Sequence, residues 1–112
     1  MAYDYLFFKP KYLPLTAEEL GEHCVERLTD VASVRAAVLS VFPQMIWPEG
    51  DWGRGEFADG RWFEFSVYRS ATACMRCSLR SDYRAEVQLV CDRLGWVAID
   101  ETPRIYLPTI DK

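Results

Sequence analysis

Residues 57–68, Phe-Ala-Asp-Gly-Arg-Trp-Phe-Glu-Phe-Ser-Val-Tyr, decide the fold, because they predict a β-hairpin whose register can be read directly. The turn signal is Asp59-Gly60. A two-residue loop would put Phe57 on the face of Trp62 and Glu64. A three-residue loop pairs Phe57 with Arg61 and gathers four apolar residues on one face: Phe57, Phe63, Phe65 and Val67. Because burying one face stabilises a hairpin, we predict the three-residue loop, with Gly60 left-handed in a G1-type bulge.

Other segments predict further strands. Residues 3–8 are aromatic-rich and apolar on both alternation faces, which is typical of an interior strand. Residues 97–100 predict a short strand, and residues 105–107 a second short segment. Residues 72–80 alternate, with Ala73, Met75, Cys77 and Leu79 directed inward and Cys74, Arg76, Ser78 and Arg80 directed outward.

Apolar residues that recur every three or four positions predict three helices. Thr16 is the expected N-cap of the first helix, in a capping box. Thr29-Asp30 interrupts this helix and caps the second one. Either Ser81 or Asp82 caps the third, which ends at Gly95. The three apolar stripes are Leu20, Cys24 and Leu28; then Val31, Val34, Val38, Val41 and Phe42; and finally Tyr83, Val87, Val90, Cys91 and Leu94.

The predicted elements run strand, helix, helix, strand, strand, strand, helix and strand. Helix stripes need an apolar sheet face to bury them, so helices packed on one side of a sheet are the economical arrangement. We therefore predict one α+β domain over residues 1–112. Its sheet has four or five antiparallel or mixed strands with two or three helices on one face, as a ferredoxin-like variant. Residues 43–55 hold two prolines, three glycines and two tryptophans, which predicts a long loop.

Composition limits the function classes. The chain has 112 residues and a formal net charge of −4, whereas a protein that grips nucleic-acid phosphates normally carries the opposite sign. No apolar run approaches the roughly 18–20 residues that span a bilayer. The first residues lack the basic start and apolar stretch of a signal peptide. These features predict a cytoplasmic protein with no membrane partner.

The spacing Cys74-x-x-Cys77 is that of redox and zinc sites. In a strand, however, residues three apart point to opposite faces, so the two sulfurs cannot easily share an ion. His23, the only histidine, lies near Glu19 and Glu26 on the first predicted helix, a face that could hold a metal weakly or act as a general base. Buried free thiols and a solvated acidic face are the simpler interpretations, so we predict no metal, cofactor or catalytic residue. A small metal- or thiol-dependent enzyme or regulator is the alternative.

A second alternative is single-strand nucleic-acid binding on an aromatic sheet face. Tyr3, Tyr5, Phe7 and residues 62–65 could imitate the aromatic residues on which small RNA-binding domains stack bases. The RNP sequence pattern is absent, and Glu64 lies among the aromatic residues. Packing in the core or on the second sheet face is therefore the favoured interpretation.

Residues 47–64 carry the strongest functional signal, with a local charge of −3. Aromatic anchors and an acidic surface suit a basic protein partner. Trp52 is the chosen anchor because the residues beside it offer no apolar neighbours. A lid in which Trp47 and Trp52 fold back onto the domain is the competing interpretation. The candidate partner-binding residues are Trp47, Glu49, Asp51, Trp52 and Glu56, followed by Glu19, Glu22 and Glu26 of the first predicted helix.

The two ends of the chain resemble a known group of small bacterial proteins. Residues 1–9, Met-Ala-Tyr-Asp-Tyr-Leu-Phe-Phe-Lys, resemble their opening strand of Ser-Tyr-Asp-Leu-Tyr-Phe-x-Lys type. Residues 94–102, Leu-Gly-Trp-Val-Ala-Ile-Asp-Glu-Thr, resemble their ending, a Leu-Gly-like stop and a strand reading aromatic-Asp-Pro-Gln. Asp100 matches that ending, and the Pro-Gln does not. Many such proteins are immunity proteins encoded beside polymorphic or contact-delivered toxins. The resemblance implies a non-enzymatic, cytoplasmic protein that binds and neutralises one toxin domain, and it carries over no catalytic residue.

The cysteines provide the first test of these assignments. Stripe and alternation positions predict that Cys24, Cys77 and Cys91 are reduced and buried, with Cys74 the most accessible. A thiol reagent added briefly to the native protein should therefore label Cys74 first, as measured by peptide mass spectrometry. Faster labelling of Cys77 would mean that the register of residues 72–80 is shifted by one, because a one-residue slip exchanges the two faces.

Overall fold

The computed structural model describes residues 2–12, 18, 25–26, 30–48, 50–68, 72–102 and 104–109. Within these ranges the chain forms seven strands and two helices. In chain order they are β1 (Ala2–Pro10), β2 (Val25–Glu26), α1 (Val31–Val41), β3 (Trp52–Glu56), β4 (Trp62–Tyr68), β5 (Thr72–Ser78), α2 (Arg84–Leu94), β6 (Val97–Ile99) and β7 (Ile105–Tyr106).

The sheet is organised around β1, which pairs with β5 on one side and β6 on the other, so its prediction as an interior strand is confirmed. The strand order is β3-β4-β5-β1-β6-β7, and β2 pairs with the end of β1. Every pairing is antiparallel. The α+β class is confirmed, but the described sheet has seven strands instead of four or five. Without β2, β3 and β7, the elements run strand, helix, strand, strand, helix, strand, the order of the ferredoxin-like topology.

The β3–β4 hairpin has the predicted register. The Phe57 N–H donates to the Arg61 carbonyl over 2.8 Å, which leaves a three-residue loop between them. Gly60 has a φ of 90°, a left-handed conformation that glycine adopts without strain. The predicted inner face lies in or against the core through Phe57, Phe63, Phe65 and Val67.

Both helices pack against one face of the sheet. The helices contribute Val34, Val38 and Val41 from α1 and Val87, Val90 and Cys91 from α2. The sheet contributes alternate residues from its central strands, including Tyr5, Phe7, Phe63, Phe65, Ala73, Met75 and Cys77. Because burying a large apolar side chain stabilises the fold by about 1.5–3 kcal/mol, this layer holds the helices in place.

The helix ends follow ordinary capping chemistry. Asp30, the second residue of the predicted Thr29-Asp30 cap, is the N-cap of α1, and its carboxylate accepts two N–H groups of the first turn. Gly95 ends α2 with a φ of 69°, also as predicted. The N-cap position of α2 is Tyr83, so neither Ser81 nor Asp82 occupies it. The Asp82 carboxylate nevertheless accepts the first helical N–H over 3.0 Å, which gives this end of the helix a partner.

Two predictions at element ends are wrong. The helix predicted over residues 16–28 does not include Val25–Glu26, which forms β2 and pairs with the end of β1. Backbone pairing with a neighbouring strand outweighs the helical spacing of the apolar residues at that point. The rest of that segment, except Glu18, lies outside the described residues. Leu79, predicted to point inward, is 48% exposed because β5 ends at Ser78 and a turn follows.

The loop predicted over residues 43–55 is also wrong, because this segment contains most of β3 and part of the core. Strand β3 directs Gly53 and Gly55 toward the core, where both are buried. A Cβ added to Gly53 would lie 2.7 Å from Trp47 Cγ, and one added to Gly55 would lie 2.6 Å from Phe63 Cζ. The glycines that predict a loop are therefore close-packing positions within a strand.

One ion pair fastens the hairpin to α2. Arg61 donates to the two carboxylate oxygens of Glu86 over 3.2 and 2.9 Å. Its guanidinium group also lies over the rings of Phe57 and Tyr83, 4.7 and 5.1 Å from their centroids. Both charged side chains are mostly buried. A bidentate, partly buried pair of this kind is stronger and more directional than an exposed one, so it fixes the hairpin against the helix.

Replacing Gly53 by alanine should destabilise the domain, because the new methyl group would meet the Trp47 ring. We expect the free energy of unfolding to fall by about 1–3 kcal/mol, the usual range for an overpacked core, as measured by urea denaturation. The matched control is Arg54→Ala on the exposed side of the same strand, which should change stability by less than about 0.5 kcal/mol. Equal stabilities of the two variants would contradict close packing of Trp47 on β3.

Candidate functional site

The centre of the sheet face opposite the helices is open to solvent. Antiparallel register aligns side chains of neighbouring strands in rows across this face. One row is largely apolar and consists of Trp52, Ser66, Cys74, Leu6 and Ile99, running from β3 to β6. Trp52 is 50% exposed and Leu6 is 36% exposed. Large exposed apolar side chains that share one face are typical of an interaction surface.

The adjacent row across the same strands is charged. It consists of Arg54, Glu64, Arg76 and Asp4, so the sign of the charge alternates from β3 to β1. Arg76 Nε donates to Asp4 Oδ1 over 3.1 Å, and this hydrogen bond raises the pKa of Arg76. The Asp4 N–H in turn donates to Glu101 Oε2 over 2.8 Å, which adds a carboxylate beyond β1. The open face therefore combines an apolar row with an ordered charge pattern.

A groove lies at the β3 edge of the open face. Ile46 and Arg54 exchange two backbone hydrogen bonds, of 2.7 and 3.0 Å, so the segment before β3 runs alongside it like a short extra strand. The groove has a volume of about 500 Å³. Its walls include Gln44, Ile46, Pro48, Trp52, Arg54 and Glu56. Because Ile46 is 74% exposed, Trp52 is 50% exposed and both line the groove, it suits a large apolar side chain.

Trp47 and Trp52 lie on opposite sides of the sheet, Trp47 in the core and Trp52 on the open face. Trp47 is 5% exposed and packs over Gly53, and its Nε1–H donates to the Gly50 carbonyl over 3.0 Å. Trp52 precedes Gly53 on β3 and therefore points to the opposite face. Trp47 therefore folds back onto the domain, as the lid interpretation proposes. Trp52 does not, and the prediction that its neighbours leave it exposed is confirmed.

The structure brings together only part of the predicted partner-binding set. Trp52 and Glu56 share the groove. Asp51 instead lines a separate hollow with Arg35 of α1. Trp47 is buried in the core, and we therefore leave it out of the proposed contact surface.

Only Glu26 of the second predicted set, the acidic face of the first helix, lies among the described residues. Glu26 lies on β2, and its carboxylate is 3.8 Å from Lys9 Nζ, an exposed ion pair between neighbouring strands. Because Glu26 is in a strand, the helical spacing that grouped it with other acidic residues does not apply. The remaining members, Glu19 and Glu22, lie outside the described residues, as does Glu49 of the first set.

The two thiols of the Cys-x-x-Cys spacing lie on opposite faces of β5. Cys77 is fully buried on the helix side, as is Cys91 of α2, and Cys74 is half-buried on the open face. Of the cysteines that the structure describes, Cys74 is therefore the most accessible, as predicted. Burial raises the pKa of Cys74 to about 11 and that of Cys77 to about 12, so both are protonated and weakly nucleophilic at neutral pH.

Metal-binding side chains do not converge in the described parts of the chain. There, no group of three or more His, Cys, Asp or Glu residues is placed to hold a metal ion. His23 and Cys24 lie outside those parts.

Most aromatic residues considered for base stacking face the core. Tyr5, Phe7, Phe63 and Phe65 are buried there, and Tyr3 packs against them. Trp62 lies on the open face, two residues before Glu64 on β4 and therefore next to it on that face. Of the rings considered for stacking, Trp62 is thus the one on the open face, half-buried and near a carboxylate, whereas bases stack on several exposed rings along a basic groove.

Sequence reasoning missed two apolar residues of this surface, Ile46 and Leu6. Leu6 belongs to a segment that is apolar on both faces, so alternation could not show which side is open. A signal was available for the groove in residues 52–56, where Trp, Arg and Glu alternate with glycine. That alternation indicates a strand with only glycines on its inner face and large side chains on its outer face.

Comparison with protein-family models, with curated proteins and with solved structures finds no match to this chain. In the described ranges, no helix has the length and apolar character needed to cross a membrane. Function is therefore inferred from the open face and from the resemblance at the two ends.

Labelling of Cys74 should be slow at neutral pH and should accelerate as the pH rises. A pKa of about 11 leaves roughly a thousandth of this thiol as reactive thiolate at pH 8. The labelling rate with a maleimide should therefore rise about tenfold per pH unit between about pH 7 and 9. A short unstructured peptide with one internal cysteine serves as the control, since the labelling rate of such a thiol begins to level off near its pKa of about 8.5. A similar plateau for Cys74 would show that burial does not affect this thiol.

Proposed function

We propose that this chain is a non-enzymatic protein-binding module and, within that class, an immunity-type protein that binds and neutralises a cognate toxin domain. The observation that carries the proposal is the groove between Ile46 and Trp52 at the edge of an open sheet face. Ordinary packing does not require two large apolar side chains to remain this exposed beside each other. A partner that fills the groove would remove their surface from water.

Charge favours a basic partner. The chain has a net charge of −4. Near the groove, the exposed Glu56 and the half-buried Glu64 carry carboxylates, and Asp51 adds a third on the neighbouring surface. Charges of this kind steer the encounter with a positively charged surface, while Trp52 supplies the apolar contact. Blocking a basic, nuclease-like active site is the simplest mechanism, since carboxylates can stand in for substrate phosphates.

The immunity assignment is supported by where the two resembling segments lie. Residues 1–9 contain most of β1, and residues 94–102 contain β6, which pairs directly with β1. The segments that resemble the immunity-type group thus form one unit at the centre of the sheet. The groove is built from the middle of the chain, which carries no such resemblance. A shared scaffold with a divergent edge is the arrangement expected of inhibitors that each recognise one toxin.

The direct test uses the toxin-like C-terminal domain encoded beside this chain as its probe. Expression of that domain alone should stop growth, and co-expression of this chain should restore it. The two purified proteins should also form a stable complex. Absence of any toxin-like neighbour, or an operon made only of metabolic enzymes, would argue against the immunity assignment.

Trp52→Ala should weaken that complex by about 2 kcal/mol, roughly thirtyfold in the dissociation constant, as hot-spot truncations do. The thermal stability should change little, because half of the side chain is already exposed. Calorimetric titration and a melting curve measure the two quantities. The matched control is Leu79→Ala, which removes a side chain that is 48% exposed in the turn after β5. Equal affinities of both variants would place the interface elsewhere.

A further inference from the structure

We propose that the open sheet face also joins two copies of this chain into a symmetric dimer. The inference concerns the free protein and does not rest on the proposed function. It starts from the charged row, here called the charge ladder, which consists of Arg54, Glu64, Arg76 and Asp4. Read from β3 to β1 the signs are plus, minus, plus, minus, and read backwards they are the opposite at every step. A row with this property is complementary to its own reversed copy.

Face-to-face packing of two sheets performs that reversal. A two-fold axis can run parallel to the strands, midway between β4 and β5. It places β3 of one copy opposite β1 of the other, and β4 opposite β5. Arg54 then faces Asp4 of the second copy, and Glu64 faces Arg76. Each of these contacts occurs twice, so all four charges of each ladder meet an opposite charge. An axis along the ladder itself would place like charges together, so the pattern selects one arrangement.

The apolar row fits the same axis. Trp52 of one copy faces Leu6 of the other, so the two most exposed large apolar side chains of this row cover each other. Ser66 faces Cys74, and both are half-buried and small enough to let the sheets approach. Two packed sheets lie about 10 Å apart with aligned strands, which matches this contact between facing rows.

The contact is small, so the dimer should be weak. It involves four strands spaced about 4.8 Å apart, at the lower end of specific interfaces, which predicts a dissociation constant in roughly the micromolar range. Trp52 belongs to both the dimer contact and the groove. A partner that binds there must therefore replace the second copy.

The test uses two charge reversals, Glu64→Arg and Arg76→Glu. In a dimer of either variant alone, position 64 faces a like charge at position 76. In a mixed dimer, Arg at position 64 faces Glu at position 76, and Arg76 faces Glu64, so every contact is again attractive. We expect each variant alone to dimerise about tenfold or more weakly than the wild type, and an equimolar mixture to recover dimers. Sedimentation equilibrium between about 5 and 500 µM measures this, and added salt should weaken the recovered dimer.

Two further variants keep the result interpretable. Arg54→Glu changes an exposed position on the edge strand, so it should weaken the dimer without affecting the melting temperature. Arg84→Glu reverses an exposed charge on α2, away from the open face, and should leave dimerisation unchanged. A wild-type protein that stays monomeric over the whole range overturns the proposal. So does a dimer that forms equally well with either ladder variant, since its contact must then lie on another surface.

Discussion

The architecture depends on one steric constraint, the absence of side chains on the inner face of β3. Gly53 and Gly55 leave room for Trp47 and Phe63 to lie directly against the strand backbone, closer than a Cβ would allow. The tryptophan therefore seals the core at this edge of the sheet. The segment that carries it runs beside β3 and hydrogen-bonds to it through Ile46. The Trp47 ring fills the space on the inner face of β3. The outer side chains of this strand, such as Trp52, are therefore exposed to solvent and line the groove.

The same constraint determines how the sheet divides its apolar residues. On the helix side, rings from β1, β4 and β5 fill one continuous core with α1 and α2. Neither of the two described helices packs on the other side, so exposed residues such as Trp52 and Leu6 occur between charged neighbours there. The open part ends toward Val97, which lies on this face but is fully buried. The interaction surface is thus the exposed part of this face, which contains Trp52 and Leu6 and does not reach Val97.

Local patterns in the sequence were sufficient for elements whose stability is local or strictly periodic. The hairpin register followed from burial of one face, and the ordering of the described cysteines followed from alternation. Prediction failed where tertiary contact decides. Glycine-rich β3 has a weak strand propensity and forms because the core side of the sheet needs a bare strand at that point. Residues 25–26 are a strand only because β1 lies beside them. Trp52 could be named as exposed, whereas the charge ladder required pairings between strands distant in sequence.

The charge ladder and the groove use electrostatics in different ways. Along the ladder, opposite charges alternate and cancel, so it sets the orientation of a contact and adds little long-range attraction. At the groove margin, Glu56 has no basic partner within ion-pair distance among the described residues, and Asp51 lies nearby on the adjoining surface. Uncancelled carboxylates act over roughly a Debye length of 8–10 Å at moderate salt. A basic partner approaching this edge would therefore be attracted before contact, whereas a second copy, equally acidic, would be repelled until its ladder was in register. The arrangement favours exchange of a weak self-contact for a stronger contact with a protein of opposite charge.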